Sequence, residues 1–223
     1  MIDTLETTGT GVWLQRTLHA GDVIVDVGAN VGAYSGLAAA IVGSAGHVYA
    51  FEPGPDNLCV LHKRFGSTTN VTIVPAAVGD RSGETRLFLD RRDARRHSLA
   101  PANVGKAGDT IAVEQVCLDD YCESLTRLDV IKIDAQGAEV AILNGARHAI
   151  RRFKPKLVVE VWPAGLKNLG ACAERLMADV CALGYDVYRL SSDGVLKDKR
   201  YITPVLVTTE RWKNINVVGL PSS

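Results

Sequence analysis

Apolar and polar positions follow two rhythms along this chain. Residues 23–27, Val-Ile-Val-Asp-Val, form a β-branched run of the kind that a strand covered on both faces of a sheet requires. Residues 32–42 are rich in alanine and leucine and predict a helix that stops near Gly43. A second strand follows over 47–52, a helix over 55–65 entered through Pro53-Gly54-Pro55, and a third strand over 71–78. There the regular alternation breaks. Residues 84–89 and 111–117 read as strands that pair with one another or add to an edge. Between them, 90–109 is the one long irregular segment, rich in arginine, alanine and glycine, and such a segment in a compact domain is functional or disordered.

Alternation resumes with a strand over 130–134, a helix over 138–153, a strand over 157–161 and a helix over 171–183. Near the end, 186–190, 203–207 and 215–218 follow one another without intervening helices, as antiparallel strands do. The pattern predicts an α/β fold of Rossmann-like, doubly wound type, mostly parallel with an antiparallel C-terminal hairpin and helices on both faces. Residues 1–223 are expected to form a single domain, with an N-terminal helix inside 1–20.

Composition changes this picture little but excludes several classes. Hydrophobic residues make up 47% and charged ones 22%, the profile of an ordinary globular protein able to bury its own core. Lys and Arg number 25, and so do Asp and Glu, so no global field draws the chain to nucleic acid or an anionic membrane. Neither is expected as a partner; a homodimer is left open. The five cysteines are scattered, with no Cys-x-x-Cys pair, which argues against a disulfide framework or structural zinc and fits a reducing cytoplasm. Residues 1–10 lack the basic start and apolar core of a signal peptide, and the apolar run 37–42 is too short to span a bilayer.

The candidate chemistry begins at the turn after the first strand, Asp26-Val27-Gly28-Ala29-Asn30-Val31-Gly32. A dinucleotide fingerprint starting at Gly28 needs glycines at positions 30 and 33, where this chain has Asn30 and Ala33. Asn30 puts a side chain where a pyrophosphate needs bare backbone. Gly28 lets the backbone approach a ligand closely, Asp26 and Asn30 offer polar contacts to an amino acid moiety, and Glu52 can accept from both hydroxyls of a ribose. This set, with Gly32 closing the turn as a further cofactor-binding candidate, suits S-adenosylmethionine better than NAD. A glycine turn alone also serves merely to join a strand to a helix, and it is Glu52 that tips the balance.

Asp26 to Gly32, Phe51-Glu52-Pro53, Ala77-Val78-Gly79, Leu118-Asp119-Asp120-Tyr121 and the run Ile131-Lys132-Ile133-Asp134-Ala135-Gln136-Gly137-Ala138-Glu139 together resemble the FkbM family of methyltransferases. The resemblance covers residues 22–162, and its last segment is the most family-specific. It implies a class I methyltransferase fold and S-adenosylmethionine-dependent methylation of a small-molecule acceptor, typically at a hydroxyl on a sugar, polyketide or other secondary metabolite. It also draws Ser98 toward the cofactor pocket, because members often carry a serine-rich turn there. Many relatives have Glu where this chain has the neutral Gln136.

In an open α/β sheet, ligands sit outside the carboxyl ends of the strands. Asp134 and Glu160 lie at two such ends and are candidate general bases for O-methylation, Asp134 also a candidate cofactor contact, with His97 a third base from the loop. The alternatives are local: Asp134 capping the following helix, and Glu160 pairing with Lys132 or Lys156. The two carboxylates do not make a full metal-ligand set, so no metal is expected. Ala77 and Val78 offer apolar walls and backbone amides to an adenine edge, and Asp80 either accepts from its amine or belongs to a turn. The arginines of Arg91-Arg92-Asp93-Ala94-Arg95-Arg96 could grip an anionic acceptor but fit better as a solvated run. Trp162 either lines an acceptor site or packs in the core. Rival readings are an RNA methyltransferase using those arginines, a non-catalytic scaffold that keeps the cofactor pocket, and, last, a nicotinamide oxidoreductase.

Overall fold

The computed structural model describes residues 8–105, 107–197 and 215–222. The first part of the chain forms α1 (Gly9–Thr17), β1 (Val23–Val27), α2 (Ala33–Val42), β2 (His47–Phe51), α3 (Pro55–Phe65), β3 (Val71–Val74), β4 (Ala77–Gly79), β5 (Gly83–Asp90) and β6 (Ala107–Cys117). The second part forms α4 (Leu118–Tyr121), β7 (Val130–Ile133), α5 (Glu139–Asn144), α6 (Arg147–Phe153), β8 (Lys156–Val161), α7 (Pro163–Asn168), α8 (Ala173–Ala182), β9 (Tyr185–Leu190), β10 (Leu196–Lys197) and β11 (Ile215–Pro221).

Among the described residues the larger sheet runs β10-β9-β11-β8-β7-β1-β2-β3. The strands from β8 to β3 are mutually parallel, and β11, β9 and β10 add antiparallel at one side. The chain winds outward from β1 in one direction through β2 and β3, then returns to β1's other flank for β7 and β8. That reversal opens a crevice at the carboxyl ends of β1 and β7, where doubly wound sheets bind their ligands.

Strand alternation supplies both faces of this sheet. Ile24, Val48, Ala50, Val130 and Val158 pack against α1, α2 and α3, while Val25, Val27, Ile131, Ile133, Leu157 and Val159 pack against α5, α6 and α8. All are buried, and each valine, leucine or isoleucine among them removed from water contributes about 1.5–3 kcal/mol. The continuous apolar runs of β1, β7 and β8 follow from covering both faces.

Three departures from the sequence pattern have local causes. The strand expected over 71–78 is divided at Pro75, which cannot donate to a ladder, and β4 joins a second sheet of order β4-β6-β5. The two strands expected at 84–89 and 111–117 do pair with each other, but β5 and β6 reach Asp90 and Ala107, leaving a shorter loop between them. The helix expected over 138–153 is broken into α5 and α6 at Gly145. There the Gly145 carbonyl accepts from Asp119 N at 2.7 Å and Cys117 Sγ at 2.9 Å, so the small sheet docks onto the break. Val78 and Leu118 belong to the same buried cluster as Val27 and Ile142. The strand expected over 203–207 lies outside the described residues, whereas β9 and β11 do pair antiparallel.

A Cβ at Gly145 would fall 2.1 Å from the Gly79 carbonyl oxygen, a contact that only backbone movement relieves. Gly145→Ala is therefore expected to destabilise the chain by about 1–3 kcal/mol, the range for overpacking. Urea unfolding followed by circular dichroism measures it.

Candidate active site

A cleft of about 200 Å³ opens at the carboxyl ends of β1, β2 and β7 and is covered by the β5–β6 loop. Of the residues singled out from sequence, Gly28, Asn30, Glu52, Ala77, Val78, His97, Ser98 and Asp134 line it. Asp26, Gly32 and Glu160 do not.

The glycine turn is shaped by close approach. Gly28 has φ 72°, and a Cβ there would sit 1.9 Å from the carbonyl oxygen of Asp134, so only glycine lets β1 and β7 converge at this point. Gly28 N and Ala29 N both donate to Phe51 O, which draws the turn against the end of β2. Asn30 also takes a left-handed backbone, φ 54°, and its N–H donates to Glu52 Oε2 at 2.8 Å. Glu52 Oε1 accepts from Gly54 N at 2.8 Å and from Asn57 Nδ2 at 3.2 Å. Burial pushes the Glu52 carboxyl up, opposed by these three donors and by the charge of Lys132. Three bonds leave part of the acceptor capacity of a carboxylate available to the cleft.

Asp26 is placed elsewhere than the ligand role expected of it. The β1–β7 register sets Asp26 opposite Lys132, both facing α2. Its carboxylate is 1% exposed, accepting from Ser35 Oγ at 2.6 Å and standing 2.9 Å from Lys132 Nζ. The same ammonium donates to Gly28 O at 3.0 Å and Val27 O at 3.3 Å, lies 4.0 Å from Asp134 Oδ2, and sits 5.4 Å from the centre of the Tyr34 ring. Burial alone would lower the pKa of this lysine, but Asp26 and Asp134 more than reverse it, so it stays charged. Gly32 is likewise off the cleft: at φ 75° it starts α2 beneath Phe65 and Leu61, whose side chains leave no room for a Cβ.

A second, smaller cleft of about 40 Å³ adjoins the first through Asp134, which lines both. Thr10, Tyr34, Lys132, Glu160 and Asn216 complete its polar walls, and Glu160 and Asn216 are direct cross-strand partners. Gln136 joins the two carboxylates: its Nε2 lies 3.2 Å from Asp134 Oδ1 and 3.4 Å from Glu160 Oε2. Its backbone is held at φ 51°, a costly region for a residue other than glycine, by Asn103 Nδ2 at 2.7 Å and Ser98 Oγ at 3.2 Å on its carbonyl. Ser98 thus serves the site by bracing this turn as well as by lining the cleft.

The local alternatives resolve from these contacts. Asp134 does not cap the following helix; α5 starts at Glu139 without a side-chain cap, and Glu139 Oε1 itself accepts from Gly137 N and Ala135 N. Lys132 pairs with Asp26 and Asp134, not with Glu160. Asp80 is exposed beside Arg81 and lines neither cleft. Trp162 is also absent from both clefts and packs on Gly165 instead. In the loop, Arg91, Arg95 and Arg96 pair with Asp109, Asp93 and Asp90. His97 stands at the Glu52 end of the first cleft, since a Cβ on Gly54 would lie 2.8 Å from its Cδ2 and 2.7 Å from Glu52 Oε1.

Sequence reasoning passed over Asn57, Asn103 and, as part of the site, Lys132. Lys132 had a legible signal, a lone cation inside the apolar run of β7; the two asparagines had none. Among the described residues no group of three His, Cys, Asp or Glu side chains could hold a metal ion, and no helix is long and apolar enough to cross a membrane.

Comparison with known proteins adds the following. Residues 26–185 match the methyltransferase FkbM domain. The hexuronic acid methyltransferase AglP of Haloferax volcanii is 26% identical over 132 residues, 58% of this chain and 52% of that protein, so the chain spans about half the length of the curated relative it matches. The crystal structure of methyltransferase FkbM from Methylobacillus flagellatus is similar with a TM-score of 0.55 at 18% identity, covering 90% of this chain and 44% of that one. Aeropyrum pernix fibrillarin, crystallised with natively bound S-adenosyl-L-methionine, gives 0.51 at 13% identity, covering 92% and 68%. Both structural likenesses are of fold.

Lys132→Met would leave Asp26 buried without its cation and is expected to destabilise the chain by about 3–5 kcal/mol; the Asp26→Asn, Lys132→Met double variant should recover most of that. Chemical denaturation of the three proteins measures both effects. Burial raises the pKa of Glu139 to about 7 from 4.5. The folded state then holds this proton more tightly than the unfolded chain, so its contribution to stability is complete below pH 4.5 and lost as pH rises through 7. Glu139→Gln, which cannot ionise, should lose less stability than the native chain across that window in denaturation curves recorded at stepped pH. Parallel losses would show the carboxylate staying charged.

Proposed function

The chain belongs to the FkbM methyltransferase family, and from that premise we propose that it moves the methyl group of S-adenosylmethionine to a hydroxyl oxygen of a small polar acceptor. The observation that carries this reading is the meeting of two unlike clefts at Asp134, one of nucleoside size with apolar walls, the other narrow and polar.

The residues present fit the donor. Glu52, fixed by Asn30, Gly54 and Asn57, would accept from the ribose hydroxyls. Ala77, Val78 and Leu87 offer an apolar wall for the purine, and the bare backbone at Gly28 admits the amino acid portion. When bound, the donor supplies a sulfonium-activated methyl group. Much of the remaining work is alignment of the acceptor oxygen with that carbon, which the hydrogen-bonded Asp134-Gln136-Glu160 arrangement serves.

Glu160 lines only the narrow cleft, and we assign it as general base. As the oxygen–carbon bond forms and the carbon–sulfur bond breaks with its electron pair left on sulfur, the acceptor proton passes to the Glu160 carboxylate. Asp134, set between the clefts near Lys132, orients the hydroxyl. The polar lining agrees with a hydroxylated acceptor such as a sugar, the class named for the Haloferax volcanii relative.

Calorimetry with S-adenosylhomocysteine tests the donor site: the folded chain should bind it, and Glu52→Ala should bind about tenfold or more weakly. Absence of binding by folded protein ends the reading. With glucuronic acid as probe acceptor, Glu160→Gln should keep S-adenosylhomocysteine affinity while turnover falls about 10²–10⁴-fold.

A further inference from the structure

We propose that His97 is a binding residue of the donor site and not a base: its Nε2–H donates a hydrogen bond to a ribose hydroxyl oxygen of the methyl donor, beside the Glu52 carboxylate that accepts from the same sugar. The inference rests on the donor reading above.

The first argument concerns the proton. His97 Nδ1 accepts the backbone N–H of Asp90 at 3.0 Å. In a neutral imidazole whose Nδ1 lone pair is engaged, the hydrogen sits on Nε2. Neither nitrogen is then left with a free lone pair for an acceptor proton, which removes the base role expected from sequence. Burial holds the ring below the ordinary histidine range, opposed by Asp56, Asp90 and Asp93, and this agrees with a neutral ring.

The second argument concerns position. Nε2 is buried and has no partner among the described residues, although a buried donor in a native protein ordinarily has one. The ring lines the first cleft and not the second, next to Gly54 and the Glu52 carboxylate. A ribose hydroxyl both donates and accepts. Glu52 can take only its hydrogen and His97 can give only to its oxygen, so the two side chains are complementary on one sugar.

The third argument is rigidity. Asp90 organises the loop, with Oδ1 accepting from Arg92 N and Asp93 N and Oδ2 from Gly105 N at 2.6 Å. Asn57 Nδ2 ties Glu52 Oε1 to Ala94 O, and Phe88 and Ser98 exchange both backbone hydrogen bonds. The imidazole is thereby anchored on both sides of its position in the chain, and a fixed donor adds affinity with little ordering of its own.

Calorimetric titration of the full chain with S-adenosylhomocysteine tests this, with thermal melting of each unliganded protein as the control for folding. His97→Ala should bind about tenfold more weakly while still melting cooperatively, at a temperature lowered by the lost Asp90 N–H bond, and His97→Gln, whose amide N–H reaches the place of Nε2–H, should bind within about threefold of native. Native affinity in folded His97→Ala overturns the proposal and leaves the donor reading intact; failure of the native chain to bind overturns both. A variant-free measurement decides the matter should His97→Ala not fold. In ¹⁵N-histidine NMR of the native chain, His97 should show the Nε2–H tautomer, with that proton moving downfield on saturation with S-adenosylhomocysteine. An Nδ1–H tautomer, or no change on saturation, overturns it.

Discussion

The buried ammonium of Lys132 is the point on which the site turns. It stands opposite Asp26 in the β1–β7 register and donates to the carbonyls of Val27, the last residue of β1, and Gly28, the first of the turn. An unpaired charge in that position would cost several kcal/mol, so strand register, ion pair and turn geometry stand or fall together. A one-residue slip between β1 and β7 would put Asp26 and Lys132 on opposite faces of the sheet. The pair thus ties the geometry of the glycine turn to the position of Asp134, where the two clefts meet.

Around this tie the two clefts have different chemistry because they are built by different parts of the fold. The larger cleft takes its floor from the parallel strand ends, which are short and buried, and its cover from the β5–β6 loop of the second sheet. The narrow cleft takes Thr10 from α1 and Asn216 from β11, both outside the residues that match the family. Variation in those outlying elements would alter the narrow cleft and leave the lining of the larger one in place. The strained Gln136 backbone joins the systems, braced by Ser98 and Asn103 while its side chain spans Asp134 and Glu160.

Much of the architecture was legible along the chain. The β-branched runs of β1, β7 and β8 and the helical spacing of α2, α3 and α8 are local patterns that survive folding, and the crowded C-terminal strands announced antiparallel additions. The misread elements were those in which a distant segment intrudes. The helix over 138–153 has no local reason to break, and Gly145 breaks it where β4 and β6 dock. Of the site, Gly28, Asn30 and Glu52 could be named because each sits at a strand end in a turn with recognisable chemistry. Asn57 and Asn103 could not, because their roles come from single hydrogen bonds to loops far away in sequence.

The sequence by itself determined the alternation of strands and helices, the glycine turn and the acid at the end of β2. Those depend on steric preferences and on neighbours within a few residues. Only the tertiary structure decided which polar side chains face each other. Asp26 could be read as a ligand contact until the register placed Lys132 opposite it, and His97 as a base until the backbone of Asp90 engaged its Nδ1. Cross-strand register and the lone pair that a distant N–H engages are properties of the assembled sheet and loop, and no stretch of chain carries them alone.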